Sequence, residues 1–143
     1  MTLPESAILL ERGEGRYVSI GAGTRCTFKV TGENTDGHFG LFEYTMEPNT
    51  AGPGRHIHRE TAEIFYVVEG EVELVVGDET LTAQAGTIAL VPTEVVHAFS
   101  NTSSRQLVLL IMFAQPTRAR NTSKVWLSSP RVGSGQIPTP YLS

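Results

Sequence analysis

The chain is a succession of short apolar-rich runs, each cut off by glycine, proline or a polar cluster. Tyr17–Ile20 stops at Gly21-Ala22-Gly23, and Arg25–Val30 stops at the polar loop Thr31–Gly37. Phe39–Met46 alternates, with Phe42, Tyr44 and Met46 on one face and Leu41, Glu43 and Thr45 on the other, and ends before Pro48. Ile64–Val68 is β-branched and aromatic and closes at Glu69-Gly70, Glu71–Val76 turns at Gly77-Asp78, and Thr80–Ala83 turns at Gln84-Ala85-Gly86. Thr87–Val91 halts at Pro92, Val95–Ser100 runs into the turn Asn101–Arg105, and Gln106–Phe113 is the most apolar run. Period-two alternation gives each strand one buried and one solvated face. Turns about every ten residues predict an antiparallel sandwich or barrel. No stretch holds a helical period over three turns.

Composition narrows the picture. At 143 residues the chain has room for one core, which excludes separate cofactor and substrate domains. The formal net charge of −4 leaves no basic footprint, so nucleic acid is not an expected partner. No apolar run is long enough for a transmembrane helix, and the N-terminus carries acids where a secretory signal needs bases. The one cysteine, Cys26, has no partner for an internal disulfide, which fits a reducing cytoplasm; its place in a strand predicts a buried, inert thiol. From Ala114 the composition shifts to Pro, Ser and Thr, with Trp126 and Tyr141 as its large aromatics. The division expected is an N-terminal arm at 1–16, a barrel at 17–113 and an irregular tail at 114–143 that folds over the barrel or a partner subunit. The apolar patch Ala7–Leu10 and the strand Gln106–Phe113 exceed what one barrel needs, so a homodimer is expected, with the arm crossing to the partner's sheet.

The chemistry is concentrated in the histidines. His56 and His58, on a β-strand, present both imidazoles on one face, within reach of one ion. Glu63 follows five residues later, where an antiparallel neighbour brings its carboxylate back, and His97 lies on a later strand. Three imidazoles and a carboxylate suit one divalent transition metal: Fe, Mn, Co, Ni, Cu or Zn. The plainer alternative is four polar residues satisfying one another. His38, beyond a polar loop, reads as solvent-facing or capping, and Glu69, Glu71 and Glu73 as the solvated face of a hairpin. Arg55 and Arg59 flank the histidines with the opposite parity, pointing away.

His56-Ile57-His58, four residues, Glu63, six more and Gly70 resemble the first motif of the cupin superfamily; Gly86, five residues, Pro92, His97, three residues and Asn101 resemble its second. The likeness extends from about Tyr17 to Phe113, and the chain resembles a small, single-domain cupin of the kind that includes quercetin-dioxygenase-like proteins. It implies an all-β fold, an antiparallel double-stranded β-helix or jelly-roll barrel, with the metal on His56, His58, Glu63 and His97. Two positions depart from the pattern: Glu94 stands where the family has a glycine that can take positive φ, and Thr50 stands at another usual glycine.

Parity then predicts the walls. Phe65 and Val67 share the parity of Glu63 and Phe99 that of His97, so these three should line a small-molecule pocket. Either Leu109, Ile111 and Phe113 or Val108, Leu110 and Met112 should close it. Such a lining favours an aromatic or polyketide-like substrate. Four protein ligands on a six-coordinate ion leave two positions for substrate, and Glu63 can serve as both ligand and base. The resemblance implies a metal-dependent dioxygenase acting on a small enolisable or phenolic compound. The alternatives are non-redox isomerase, cyclase, decarboxylase or lyase chemistry, and a non-enzymatic small-molecule binder.

Overall fold

Phe42, Tyr44 and Met46 turn inward, as their alternation requires, and that parity propagates by register through the neighbouring strands. The computed structural model describes residues 4–115. Ten strands follow one another: β1 Tyr17–Ile20, β2 Thr24–Val30, β3 Phe39–Met46, β4 Thr50–Ala51, β5 Ala62–Glu69, β6 Glu71–Val76, β7 Glu79–Gln84, β8 Ile88–Val91, β9 His97–Asn101 and β10 Leu107–Ala114. A single 3-10 turn, Gly32–Asn34, interrupts them among the described residues. The strands form a six-stranded sheet, β1-β2-β3-β10-β5-β8, and a four-stranded sheet, β4-β9-β6-β7, with every pairing antiparallel. This is the antiparallel jelly roll that the strand pattern and the resemblance led us to expect.

The inner faces of the two sheets make one core. Phe65 stands beside Ile111 and Ala89, and Ile111 beside Phe42, while Leu74 stands beside Phe99 in the other sheet. Met46, Phe65, Leu107, Leu109 and Ile111 lose all their solvent exposure, and each such side chain contributes about 1.5–3 kcal/mol by burial. On β10 the inward set is Leu109, Ile111 and Phe113, which settles the choice left open by the sequence. Val108 is also buried, but the register slips between it and Leu109. Gly70 closes the β5–β6 hairpin at φ +79, where a Cβ would strike the Gln106 carbonyl.

Glu43, on the face opposite Phe42, Tyr44 and Met46, is buried. The N-terminal segment lies over it: the Gly13 N–H donates to its Oε1 at 2.8 Å, and Lys29 Nζ stands 3.8 Å from its Oε2. Lys29 also donates to the carbonyls of Glu11 and Glu14, and Arg12 pairs with Glu69. Glu71 and Glu73 are half-buried rather than fully solvated, whereas Glu69 is exposed. Most of the expected tail, with Trp126 and Tyr141, lies outside the described residues.

Candidate metal centre

The His-x-His pair is not on a strand, contrary to the expectation. Gly52-Pro53-Gly54 breaks the pairing after β4, and His56 makes only an isolated antiparallel bridge, to His97. The His56 N–H donates to the His97 carbonyl at 3.0 Å, and the His97 N–H returns a bond at 2.9 Å. Gly52 allows this approach, since a Cβ there would run into the Phe99 carbonyl. The close-approach glycine is therefore Gly52, and Thr50 instead pairs with Asn101 in β4. Asn101 itself is structural: its buried amide donates to the carbonyls of Met46, Glu47 and Arg105.

Strand boundaries place the other two donors. β5 begins two residues sooner than the Ile64 start expected, so Glu63 sits inside it, between Val91 and Phe113. β9 begins at His97 rather than Val95. The residues before it form a turn in which Glu94 takes φ +64, and the Glu94 N–H donates to the His58 carbonyl at 2.8 Å. The glycine-like conformation thus survives at Glu94, and it ties the two motifs together a second time.

The structure brings His56, His58, Glu63 and His97 to one point, with one donor atom of each within 4.8 Å of the others. His97 and Glu63 are buried, and the other two histidines are half-buried. The tautomers follow from their partners. His56 Nδ1 lies 2.7 Å from the Gly54 carbonyl and His97 Nδ1 2.9 Å from the Val95 carbonyl; a carbonyl only accepts, so both Nδ1 atoms carry hydrogen. The Nε2 lone pair of a neutral ring is then free. Yet His97 Nε2 lies 2.5 Å from Glu63 Oε2, and His58 Nε2 lies 3.0 Å from that same oxygen without hydrogen-bonding geometry. With His97 doubly protonated, its Nε2–H donates to Glu63 and the ring itself is the cation. With neutral rings, the Nε2 atoms and the carboxylate converge as acceptors, an arrangement that suits a cation among them. Nitrogen and carboxylate donors with ring N–H groups anchored on backbone carbonyls fit a transition-metal ion.

Aromatic rings pack against the histidines. Phe113 meets the His58 ring edge-on at 5.3 Å, and Phe65 meets the His97 ring at 6.3 Å. Phe99 reaches the site through Phe65, at 5.3 Å, and Val67 lies buried in the same core cluster. Tyr44 packs on Phe99 at 5.8 Å and was not singled out from the sequence, although its parity with Phe42 and Met46 is the signal that finds it. Arg55 is exposed and turned to the Gly77 carbonyl, and Arg59 is exposed. His38 is outside the cluster, with its Nδ1 donating to the Thr35 carbonyl. Cys26 is buried beside Tyr44, and burial pushes its thiol pKa up.

A model of the cupin domain family matches residues 42–113, a span that contains all four donors. Among solved structures the fold is similar to an RmlC-like cupin from Shewanella frigidimarina, at 22% identity and a TM-score of 0.61 over 77% of this chain and 92% of that one. It is similar to a predicted oxalate decarboxylase from Thermotoga maritima, at 19% identity and 0.63 over 80% and 99%. It also resembles a putative sugar phosphate isomerase from Acidithiobacillus ferrooxidans, at 22% identity and 0.55 over 64% and 60%. No curated protein matches the sequence.

Proposed function

The chain belongs to the cupin family, and on that premise we propose a metal-dependent enzyme that acts on a small enolisable or phenolic compound, with dioxygenation as its reaction. The observation that carries the reading is the convergence of His58 Nε2 and His97 Nε2 on one oxygen of the buried Glu63. One divalent transition ion held by His56, His58, Glu63 and His97 supplies Lewis acidity and, if redox-active, a path for electrons to oxygen.

The chain's own groups do the rest. The Gly54 and Val95 carbonyls hold His56 and His97 in the tautomer that aims Nε2 inward. Glu63 balances charge, and a carboxylate that loosens one oxygen can accept the substrate's proton. Phe65 and Phe113 exclude water from the rings they touch and favour a flat, apolar substrate. Among the described residues, no Lys or Arg pairs with any of the four donors. A dianion such as oxalate, or a sugar phosphate, therefore has little fixed counter-charge here, which weighs against the substrates in two relatives' names.

A second reading, isomerase, decarboxylase or lyase chemistry without oxygen, draws on Glu63 alone: a base beside a Lewis acid suffices to make an enolate. An oxygen electrode separates the two, with metal-loaded protein tested on phenols and β-diketones. Oxygen uptake matching substrate loss supports dioxygenation; turnover without uptake replaces it with the second reading, and binding without turnover makes the protein a carrier. In Glu63→Gln, activity per bound metal is expected to fall about 10²–10⁴-fold, the usual share of a general base. An unchanged value would leave Glu63 as a ligand only.

A further inference from the structure

We propose that the substrate reaches this centre from the β2–β3 side of the barrel and that Phe113 and Phe42 form the ledge on which its ring rests, which narrows the substrate to an aryl compound. This rests on the metal-dependent reading and deepens it, by naming the class of ligand and the residues that select it. Two inward rows of side chains cross the six-stranded sheet beside the four donors. One runs Phe28, Phe42, Ile111, Phe65, and the other Gly40, Phe113, Glu63, Val91. Exposure rises in the same direction along both. Ile111, Phe65, Glu63 and Val91 are buried, whereas Phe28, Phe42 and Phe113 are only half-buried although they face inward. The barrel is packed shut towards β5 and open towards β2 and β3.

The donors follow the same gradient. The His97 side chain is 1% exposed, and that of His58 is 31% exposed. Phe113 meets the His58 ring edge-on at 5.3 Å and stands beside Glu63 in the sheet, so an accessible ring touches the accessible donor directly. Phe42 comes next, with its ring 5.8 Å from that of Phe113. Gly40 makes room for it: a Cβ there would stand 3.0 Å from the Phe42 ring. β3 thus contributes no side chain to the row of Glu63, and the Phe42 ring leans into that space instead. Phe65, Val67 and Phe99, which parity also put beside the donors, keep almost no exposure and leave no face for a ligand. Glu63 is the one charged residue in the two rows. A flat ring laid against Phe113 and Phe42 gains edge-to-face contact as well as burial, whereas a saturated chain gains burial alone.

The probes are acetohydroxamate and benzohydroxamate, which share one metal-binding head and differ by a ring. Each is titrated into protein reconstituted with cobalt(II), followed by the visible band of the ion, with metal content measured for each variant. Wild type is expected to bind benzohydroxamate about tenfold or more the tighter, from ring burial and aromatic contact together. Phe42→Leu and Phe113→Leu should each bind acetohydroxamate as wild type does and cut the preference for the ring by roughly 3–10-fold, the share of an aromatic pair. Loaded wild type that binds neither probe, or both equally, overturns the proposal, as does an undiminished preference in Phe42→Leu. If Phe42→Leu does not fold, an undiminished preference in Phe113→Leu overturns it. Wild type that takes up no cobalt is a different failure, because it removes the metal-dependent reading and this inference with it.

Discussion

His56 and His97 exchange a pair of backbone hydrogen bonds, at 3.0 and 2.9 Å, and their rings stand 4.3 Å apart. This one bridge joins a glycine-rich loop to the start of β9 and sets the spacing of two candidate donors without help from a continuous ladder. The side-chain anchors repeat the same device: each ring N–H returns to the carbonyl two residues before it. The backbone thus fixes both where the rings stand and which nitrogen faces inward.

Glu94 holds the second tie, through its N–H to the His58 carbonyl, at φ +64. A left-handed residue other than glycine costs about 1–2 kcal/mol, and glycine's extra unfolded freedom offsets about 0.5–1 of that. Glu94→Gly is therefore expected to raise stability by up to about 1 kcal/mol in urea unfolding, while β-branched Glu94→Val should lower it. A clear loss of stability in Glu94→Gly would mean that the turn depends on the glutamate side chain.

Stability should fall at alkaline pH. Cys26, raised above its ordinary 9.0, and Tyr44, raised above 10.0, both keep their protons to higher pH folded than unfolded. The native state then binds more protons, so their contribution is complete below about pH 9 and is lost as pH rises beyond it. Thermal midpoints measured from pH 7 to 11 should drop more steeply for wild type than for Cys26→Ala with Tyr44→Phe. Parallel curves would contradict the assignment.

The outer face of the six-stranded sheet suits a partner copy. Edge strand β8 exposes Ile88 at 67% and Leu90 at 43%, Tyr66 stands beside Ile88 at 41%, and Leu9 of the N-terminal segment is 75% exposed. An open edge with apolar side chains favours association. A homodimer is expected by light scattering at micromolar concentration, weakened by Ile88→Glu. A monomeric mass for wild type would reject it.

The strands were legible because their signals are local: Phe42, Tyr44 and Met46 alternate, and Gly70, Gly77 and Pro92 mark the ends. The donors were legible because chemistry and spacing agree. What the sequence hid is non-local. Glu43 alternates opposite Tyr44, and its burial comes with Gly13 and Lys29 lying against it. His56 and His58 alternate as strand residues, but Gly52 and Phe99 press the loop against β9 instead.

The central claim is tested most directly by elemental analysis of purified, reconstituted protein beside His97→Ala. About one divalent ion per wild-type chain is expected, with a sharp loss in the variant, which lacks one of the four donors. Wild type without stoichiometric metal, or His97→Ala with undiminished metal, would contradict the account.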